Sequence, residues 1–351
     1  MGYDDSKWTE PVEADASSLG RLVAQSTPPI RRQGVLKTET INTTTEGSNT
    51  TMILDTGKNH AGSCRFRFAG KAGDVVGMRY GELLHADGSL NPMTSVAGQI
   101  KGPNAKAPCQ PTVAWAADTL TLSGKSGGDD WTPSWSWHGF RYIEITTPHG
   151  VTASDAIECY PMRTDVDLVA NFTSSDPFLD DLRTLVRNTF DSNMMSVQSD
   201  CPHRERFGYG GDPLGCGEAG LSIYDWSTFY PKRVRDFNDG QRVDKTTGAL
   251  TGFTETSPFV GITDAGLVPG GGTGPIGWET YQPVTQLWLY KYYGDTRIMN
   301  ESFASTHAYI KLLDSNPPGI DRACTGNLPF LVMSGSFLTD SLWLPWYRRL
   351  G

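Results

Sequence analysis

The sequence predicts a multidomain protein in which an all-β domain is followed by an all-α domain, with the change of class near residue 160. Before that point, short runs of β-branched and aromatic residues alternate with turn residues, which is typical of strands. After residue 170, apolar residues recur every three or four positions, which is typical of amphipathic helices. The length of 351 residues is sufficient for two domains.

The strands of the first domain are predicted to form an antiparallel sandwich. The strand pattern is clearest in residues 51–54, 64–68, 75–80 and 140–145. No helix-period segment lies between these runs to serve as a parallel crossover, so an antiparallel sheet is favoured. The pair Asp87-Gly88 predicts a turn between strands.

Four helices are predicted in the second domain. The first begins at the N-cap Asp176, has Pro177 in its first turn, and continues to Val197. The second is predicted over residues 223–237, with apolar residues on one face before Pro231. The third is predicted over residues 284–292, and the fourth from Asp295 to about residue 316. The Gly-rich loop from 252 to 277 suggests that loops build a pocket at one end of this domain.

Composition argues against two classes of partner. The net charge of -9 and the lack of Lys and Arg clusters argue against nucleic acid. A membrane partner is not expected, because no apolar run approaches the roughly 18 residues of a membrane span. Four Asn-x-Ser/Thr sequons, which begin at Asn42, Asn49, Asn171 and Asn300, favour a secreted protein, although no signal peptide is recognisable in the sequence.

The six cysteines do not indicate a metal site. They lie too far apart for zinc-ligand spacing and are too dilute for a disulfide scaffold, so buried thiols with one or two bridges are expected. Their positions are Cys64, Cys109, Cys159, Cys201, Cys216 and Cys324. No metal and no cofactor is predicted.

The segment Asp200–Asp212 is the strongest candidate site. It contains three carboxylates, two arginines and a glycine-rich turn, and it lies between two helix-like segments. Ionised carboxylates accept hydrogen bonds, and a protonated one can deliver a proton, so this group suits the binding and cleavage of a sugar. Cys201 beside His203 resembles a nucleophile and its base, but Cys201 and Pro202 are expected to shape the turn instead.

This segment resembles the signature of glycoside hydrolase family 78, the α-L-rhamnosidases. In that signature Asp-Cys-Pro-Gln-Arg is followed by a Glu and then by Leu-Gly-Trp-Thr-Gly-Asp. Further stretches resemble the family at residues 24–30, 55–62, 79–82, 138–142 and 278–295. The resemblance covers residues 20 to about 315. It implies an antiparallel, jelly-roll-like β-sandwich followed by an (α/α)6 barrel, which is truncated in this chain.

The resemblance also implies domain limits. Residues 1–23 are expected to be the remnant of a preceding β domain, residues 24–160 the β-sandwich, and residues 161–351 part of the (α/α)6 six-hairpin glycosidase domain. In the family the catalytic base is a Glu on a late helix of the barrel. That position is expected to lie beyond Gly351, so the chain is expected to lack the general base.

The family's chemistry is the inverting hydrolysis of terminal α-L-rhamnosyl residues of a glycoside or polysaccharide. Glu205 matches the general acid, a role that requires a pKa above the ordinary value of about 4.3. Asp200, Arg204 and Asp212 match positions that hold the rhamnose hydroxyls. The two remaining matches are aromatic residues for the apolar face of the sugar, Tyr209 in place of a family Trp and Trp278.

Two alternatives to an active hydrolase remain open at the level of sequence. A non-catalytic carbohydrate-binding protein would keep the sugar-holding residues without turnover. An inactive or purely structural fragment would keep neither function. Binding of L-rhamnose separates these two alternatives.

Overall fold

The structure is a computed structural model, and it describes residues 4–13, 15, 22–96, 114–154, 157–259 and 276–315. Within these residues, a β-rich region is followed by a helical region. The β-then-α fold class predicted from the sequence is therefore confirmed. The predicted domain limits stay predictions.

The β-rich region is built on an antiparallel sheet. Its strands in chain order are β1 (Ile30–Arg32), β2 (Leu36–Lys37), β3 (Glu39–Glu46), β4 (Asn49–Ala69), β5 (Val75–Gly81), β6 (Leu83–Leu84), β7 (Leu90–Asn91), β8 (Ala117–Thr121), β9 (Asp129–Trp131), β10 (His138–Pro148), β11 (Thr152–Ala153) and β12 (Glu158–Thr164). The main sheet has the order β1-β12-β4-β10-β5-β8. β4 is central: it pairs with β3 and β10 over its first part and with β9 and β11 over its last residues.

The predicted strands 51–54 and 64–68 are two parts of the single strand β4. The break in the pattern between them is a bulge, because Asp55 pairs with Tyr142 and His60 with Phe140, which leaves four residues opposite Arg141 alone. Gly57 has a φ of +74° there, a value that favours glycine. The Arg141 guanidinium holds the bulge with 2.9 and 2.8 Å hydrogen bonds to the Asp55 carboxylate.

The sheet region encloses its own apolar core, which includes Phe66, Phe68, Val76, Met78, Phe140, Ile143 and Ile145. Cys64 and Cys159 lie directly opposite each other on β4 and β12 and form a disulfide inside this core. A disulfide agrees with the sequence expectation of one or two bridges. The predicted turn at Asp87-Gly88 joins β6 to β7, and Gly88 has a φ of +82°.

The helical region contains short hairpins between its helices. Its elements are α1 (Pro177–Ser192), β13 (Met194–Met195), β14 (Val197–Gln198), α2 (Gly211–Leu221), α3 (Phe229–Asp239), β15 (Gln241–Val243), β16 (Leu250–Phe253), α4 (Ile276–Glu279), α5 (Tyr281–Tyr293) and α6 (Arg297–Ser315). An aromatic core joins these helices, and it includes Trp226, Phe229, Tyr230, Phe237, Tyr281 and Trp288. Among the described residues, no helix combines the length and apolar character that crossing a membrane requires.

The predicted start of the first helix is confirmed, and its predicted end is wrong. The Asp176 carboxylate accepts the Phe178 N–H at 3.0 Å, as an N-cap does. The helix ends at Ser192 instead of Val197. Ser196 has a φ of +65°, which turns the chain into the hairpin of β13 and β14.

The predicted helix at 223–237 is also partly wrong. Residues 223–228 are not helical, and α3 begins at Phe229. Pro231 lies in the first turn of α3, where its missing N–H leaves no helical hydrogen bond unmade. The predictions for α5 and α6 are confirmed, and the end predicted before Pro317 lies outside the described residues.

Candidate active site

The loop between β14 and α2 carries most of the residues predicted for the site. Asp200 closes this loop: its carboxylate accepts the Phe207 N–H at 2.9 Å, and its own N–H donates to the Phe207 carbonyl at 3.2 Å. Glu205 is half-buried within the closed loop, and its N–H donates to Cys201 Sγ at 3.1 Å. Cys201 therefore contributes to the turn, as expected from the sequence.

Asp212 lies in the first turn of α2 and is exposed at the surface. The pKa of its carboxyl is raised by partial desolvation and, in addition, by the negative charge of Asp200. The two carboxylates, one on each side of Glu205 in the chain, are thus close enough to repel each other. A ligand that donates hydrogen bonds to both would relieve this repulsion.

Trp278 packs against the beginning of α2. A Cβ added to Gly211 would lie 2.6 Å from Trp278 Cε2, and a Cβ on Gly210 would collide with the Trp278 carbonyl oxygen. Gly211 therefore allows the indole of Trp278, and Gly210 allows its backbone, to approach the start of α2 beside Asp212. Trp278 itself is half-buried.

Tyr209 is held by a short backbone ladder. It forms a bridge with Thr256, and the Ser257 N–H donates to the Gly208 carbonyl at 3.0 Å. Its ring contacts Phe207 edge to face, with 5.9 Å between the centroids. The backbone bridge and the Phe207 contact thus fix the half-buried Tyr209, which stands between Glu205 and Asp212 in the sequence.

Arg233 binds the backbone carbonyls of this ladder through its guanidinium. Its side chain is fully buried, and its guanidinium donates to the Ser257 carbonyl at 2.5 Å and to the Gly208 carbonyl at 3.0 Å. Asp236 lies 3.1 Å from the same guanidinium and balances its charge. The position of the Tyr209 ladder therefore depends on one buried ion pair.

The sheet region contacts the other side of the loop. His203 Nε2 lies 3.0 Å from Glu82 Oε2, and Asn59 donates to Glu82 Oε1 at 2.8 Å. Arg204 Nη2 is 3.4 Å from the carbonyl oxygens of Met93 and Thr94. The structure therefore directs Arg204 toward the sheet region, whereas Asp212 and Trp278 lie on the helical side of the loop.

His203 is a cation at neutral pH. Burial alone would lower its pKa, but hydrogen bonds to Cys201 and Glu82, together with the charge of Glu82, raise the pKa to about 9. The Glu82 pKa is lowered in turn, since the bonds from His203 and Asn59 outweigh the effect of burial. The result is a charged contact between the two regions.

The sequence did not predict a role for Glu255, and it did not predict that Glu82 and His203 pair with each other. Glu255 is 3% exposed, its carbonyl accepts the Gly210 N–H at 3.1 Å, and desolvation raises the pKa of its carboxyl. The only sequence signal is a single acidic residue in the stretch Thr254-Glu255-Thr256. Among the described residues, no group of His, Cys, Asp and Glu has a metal-binding arrangement.

Two family models match the chain consecutively. The first describes the concanavalin-like domain of bacterial α-L-rhamnosidases and covers residues 45–162. The second describes the six-hairpin glycosidase domain of bacterial α-L-rhamnosidases and covers residues 167–326. A β domain followed by a six-hairpin domain defines the class as a glycoside hydrolase.

Relatives narrow the class to one family. An α-L-rhamnosidase of Streptomyces avermitilis is 30% identical over 335 residues, which are 95% of this chain and 29% of the relative. An α-L-rhamnosidase of Formosa agariphila is 27% identical over 86% of this chain and 30% of its own length. The chain belongs to glycoside hydrolase family 78, the α-L-rhamnosidases. It spans under a third of the length of the curated relatives it matches.

Solved structures agree with this family. The α-L-rhamnosidase of Dictyoglumus thermophilum has a TM-score of 0.70 and 26% identity, over 90% of this chain and 32% of that one. The Streptomyces avermitilis α-L-rhamnosidase complexed with L-rhamnose has a TM-score of 0.68 and 28% identity, over 85% of this chain and 26% of that one.

Proposed function

We propose that this chain supplies the proton donor and the sugar-holding side chains of an inverting α-L-rhamnosidase, which hydrolyses terminal α-L-rhamnosyl residues. The observation that carries the proposal is the electrostatic repulsion between the neighbouring carboxylates of Asp200 and Asp212. Glu205 lies between them in the chain, and Trp278 packs beside Asp212. Acidic acceptors next to an aromatic face suit a deoxysugar.

Glu205 is the proposed general acid. Its carboxyl gives a proton to the glycosidic oxygen as the bond from that oxygen to the sugar's anomeric carbon breaks. A water molecule attacks the same carbon from the opposite face, and a second carboxylate takes the proton of that water. We assign this second carboxylate to no residue of the chain.

The sugar is proposed to lie against the helical side of the loop. Asp200 and Asp212 accept hydrogen bonds from its hydroxyls, and Tyr209 and Trp278 pack against its apolar face and methyl group. Arg204, which points toward the sheet region, is the third proposed contact, and it is proposed to turn toward the sugar to bind its hydroxyls. Its long 3.4 Å contacts with two carbonyl oxygens are weak enough to be exchanged for a substrate oxygen. The proposed substrate is a rhamnose-containing glycoside or polysaccharide.

The substitution Glu205→Gln tests the role of the acid through two leaving groups. Methanol leaves poorly without protonation, so kcat/KM for methyl α-L-rhamnoside is expected to fall by about 100-fold to 10,000-fold. 4-Nitrophenolate leaves readily unprotonated, so the loss for 4-nitrophenyl α-L-rhamnoside is expected to be much smaller. Glu218→Gln, which changes an exposed carboxylate bonded to Lys291, is the matched control and is expected to change neither value.

Equal activity of the Glu205→Gln and unaltered chains on the methyl glycoside would reject the assignment of the acid. Absence of turnover of both glycosides by the unaltered chain would reject hydrolysis by this chain. Binding of L-rhamnose is measured separately, so the sugar site and the reaction can fail independently.

A further inference from the structure

A cavity lies between the sheet region and helix α1. Its volume is about 390 Å³, and its walls come from the residues around β2, the bulge of β4, β12 and one face of α1. No residue of the Asp200–Asp212 loop lines it, and neither does Trp278. The volume falls within the range of about 300–1,000 Å³ that small-molecule sites occupy.

The cavity is lined by more positive than negative charge. Lys58, Arg183 and Arg187 line it, and Asp191 is its single carboxylate. Asp191 is already neutralised, because Arg163 Nε lies 2.9 Å from one of its oxygens and Arg187 Nε lies 3.6 Å from the other. Lys58 and Arg183 form no ion pair with any carboxylate in the described part of the chain. In a protein of net charge -9, this excess of cations is a local feature.

The other lining residues are neutral, and they are both polar and apolar. His60 also lines the cavity, and burial lowers the pKa of its imidazole to about 4, so it adds no charge at neutral pH. Gln33 and Asn188 offer amide donors and acceptors. Leu36 and Met162 offer apolar surface.

We propose that this cavity binds an acidic sugar, a monosaccharide unit that carries a carboxylate. Lys58 and Arg183 bind the carboxylate, the amides of Gln33 and Asn188 bind ring hydroxyls, and Leu36 contacts the apolar face of the ring. An inorganic oxyanion would use only the cations, and a neutral sugar would leave the cations unpaired. This inference does not depend on the function proposed for the Asp200–Asp212 loop.

Calorimetry of the whole chain with D-glucuronate, D-glucose and inorganic phosphate tests the proposal. D-glucuronate is expected to bind at least about tenfold more tightly than either of the other two. The double substitution Lys58→Met with Arg183→Gln is expected to weaken D-glucuronate by at least about tenfold. The control Lys71→Met with Lys245→Met removes the same charge from exposed sites outside the cavity and is expected to leave the affinity unchanged.

A salt titration of the unaltered chain provides a measurement that needs no variant. D-glucuronate affinity is expected to fall between about 0.02 M and about 0.5 M salt, because the ion pairs are partly exposed to solvent. The proposal is overturned if D-glucuronate gives no heat, if it binds no more tightly than phosphate or D-glucose, if the folded double variant binds it unchanged, or if salt has no effect.

Discussion

Glu82 on the sheet region and His203 on the candidate active-site loop form an ion pair of 3.0 Å between Oε2 and Nε2. Asn59 fixes the other oxygen of Glu82 at 2.8 Å, so the carboxylate has a defined direction. His203 stands two residues before Glu205. The sheet region therefore fixes one end of the turn that carries the proposed acid.

The His203 contact predicts a specific dependence of stability on pH. The folded pKa of His203 is about 9, above the ordinary value of 6.5, so its stabilising effect is complete below pH 6.5 and is lost as the pH rises through about 9. The free energy of unfolding, measured with denaturant, should fall by up to about 3 kcal/mol more in the unaltered chain than in His203→Gln over that interval.

His149→Gln is the control for that comparison, because His149 is exposed in a turn of the sheet region. This variant should follow the unaltered chain at every pH. Parallel curves for His203→Gln and the unaltered chain would mean that the ion pair does not stabilise the fold.

Removal of the buried Arg233 guanidinium should be strongly destabilising. Arg233→Met leaves the Ser257 carbonyl without its donor, and it removes one of the two donors of Asp236 and of the Gly208 carbonyl, which keep Lys232 and the Ser257 N–H. It should reduce the free energy of unfolding by about 3–5 kcal/mol. Arg235→Gln removes an exposed ion pair with Glu301 and should change it by no more than about 1 kcal/mol. Chemical denaturation of both variants checks the difference, and similar small losses would contradict it.

The two glycines Gly211 and Gly215 of helix α2 should respond in opposite directions to alanine. Gly211→Ala places a Cβ 2.6 Å from Trp278 Cε2, so it should destabilise the protein by about 1–3 kcal/mol and displace the indole. No atom lies within 4 Å of a Cβ on Gly215, so Gly215→Ala should stabilise the helix by about 0.5–1 kcal/mol. Thermal unfolding measures both effects, and a stabilising Gly211→Ala would exclude the close packing of Trp278.

The Cys64–Cys159 disulfide should contribute substantially to stability because it closes a long loop, with a sequence separation of 95 between the two cysteines. Replacing both cysteines by serine should reduce the free energy of unfolding by about 2–5 kcal/mol. Cys216→Ser, which keeps a hydroxyl where the thiol bonds to Gln198 and to the Asp212 carbonyl, should cost about 1 kcal/mol or less. If the double variant is as stable as Cys216→Ser, the bridge has no such role.

The sequence predicted correctly those elements that have a clear helix cap or a regular apolar period. The cap at Asp176 and the apolar periods of α5 and α6 appear in the structure as predicted. The helix predicted for residues 223–228 is wrong because these residues form a connecting segment in which Trp226 is fully buried, so the spacing of Trp226 from Phe229 imitates a helix face.

The candidate loop was predictable from a continuous stretch of sequence, and its supports were not. Glu82 and Glu255 reach the loop from distant parts of the chain. Glu82 stands in the family-like stretch 79–82, but nothing in that stretch shows that it pairs with His203, and Glu255 stands in no recognisable pattern. The bulge of β4 likewise depends on Arg141 of another strand, so it was predicted as a break between two strands. Pairings of this kind follow from the tertiary fold and leave no local periodicity.

Calorimetry with L-rhamnose tests the central claim most directly, since the claim is that Asp200 and Asp212 hold this sugar beside Glu205. The unaltered chain should release heat on titration with L-rhamnose. Asp212→Asn should bind at least about tenfold more weakly, while Glu218→Gln should bind as the unaltered chain does. No heat from the unaltered chain at high sugar concentration, or equal binding by Asp212→Asn, would contradict the account.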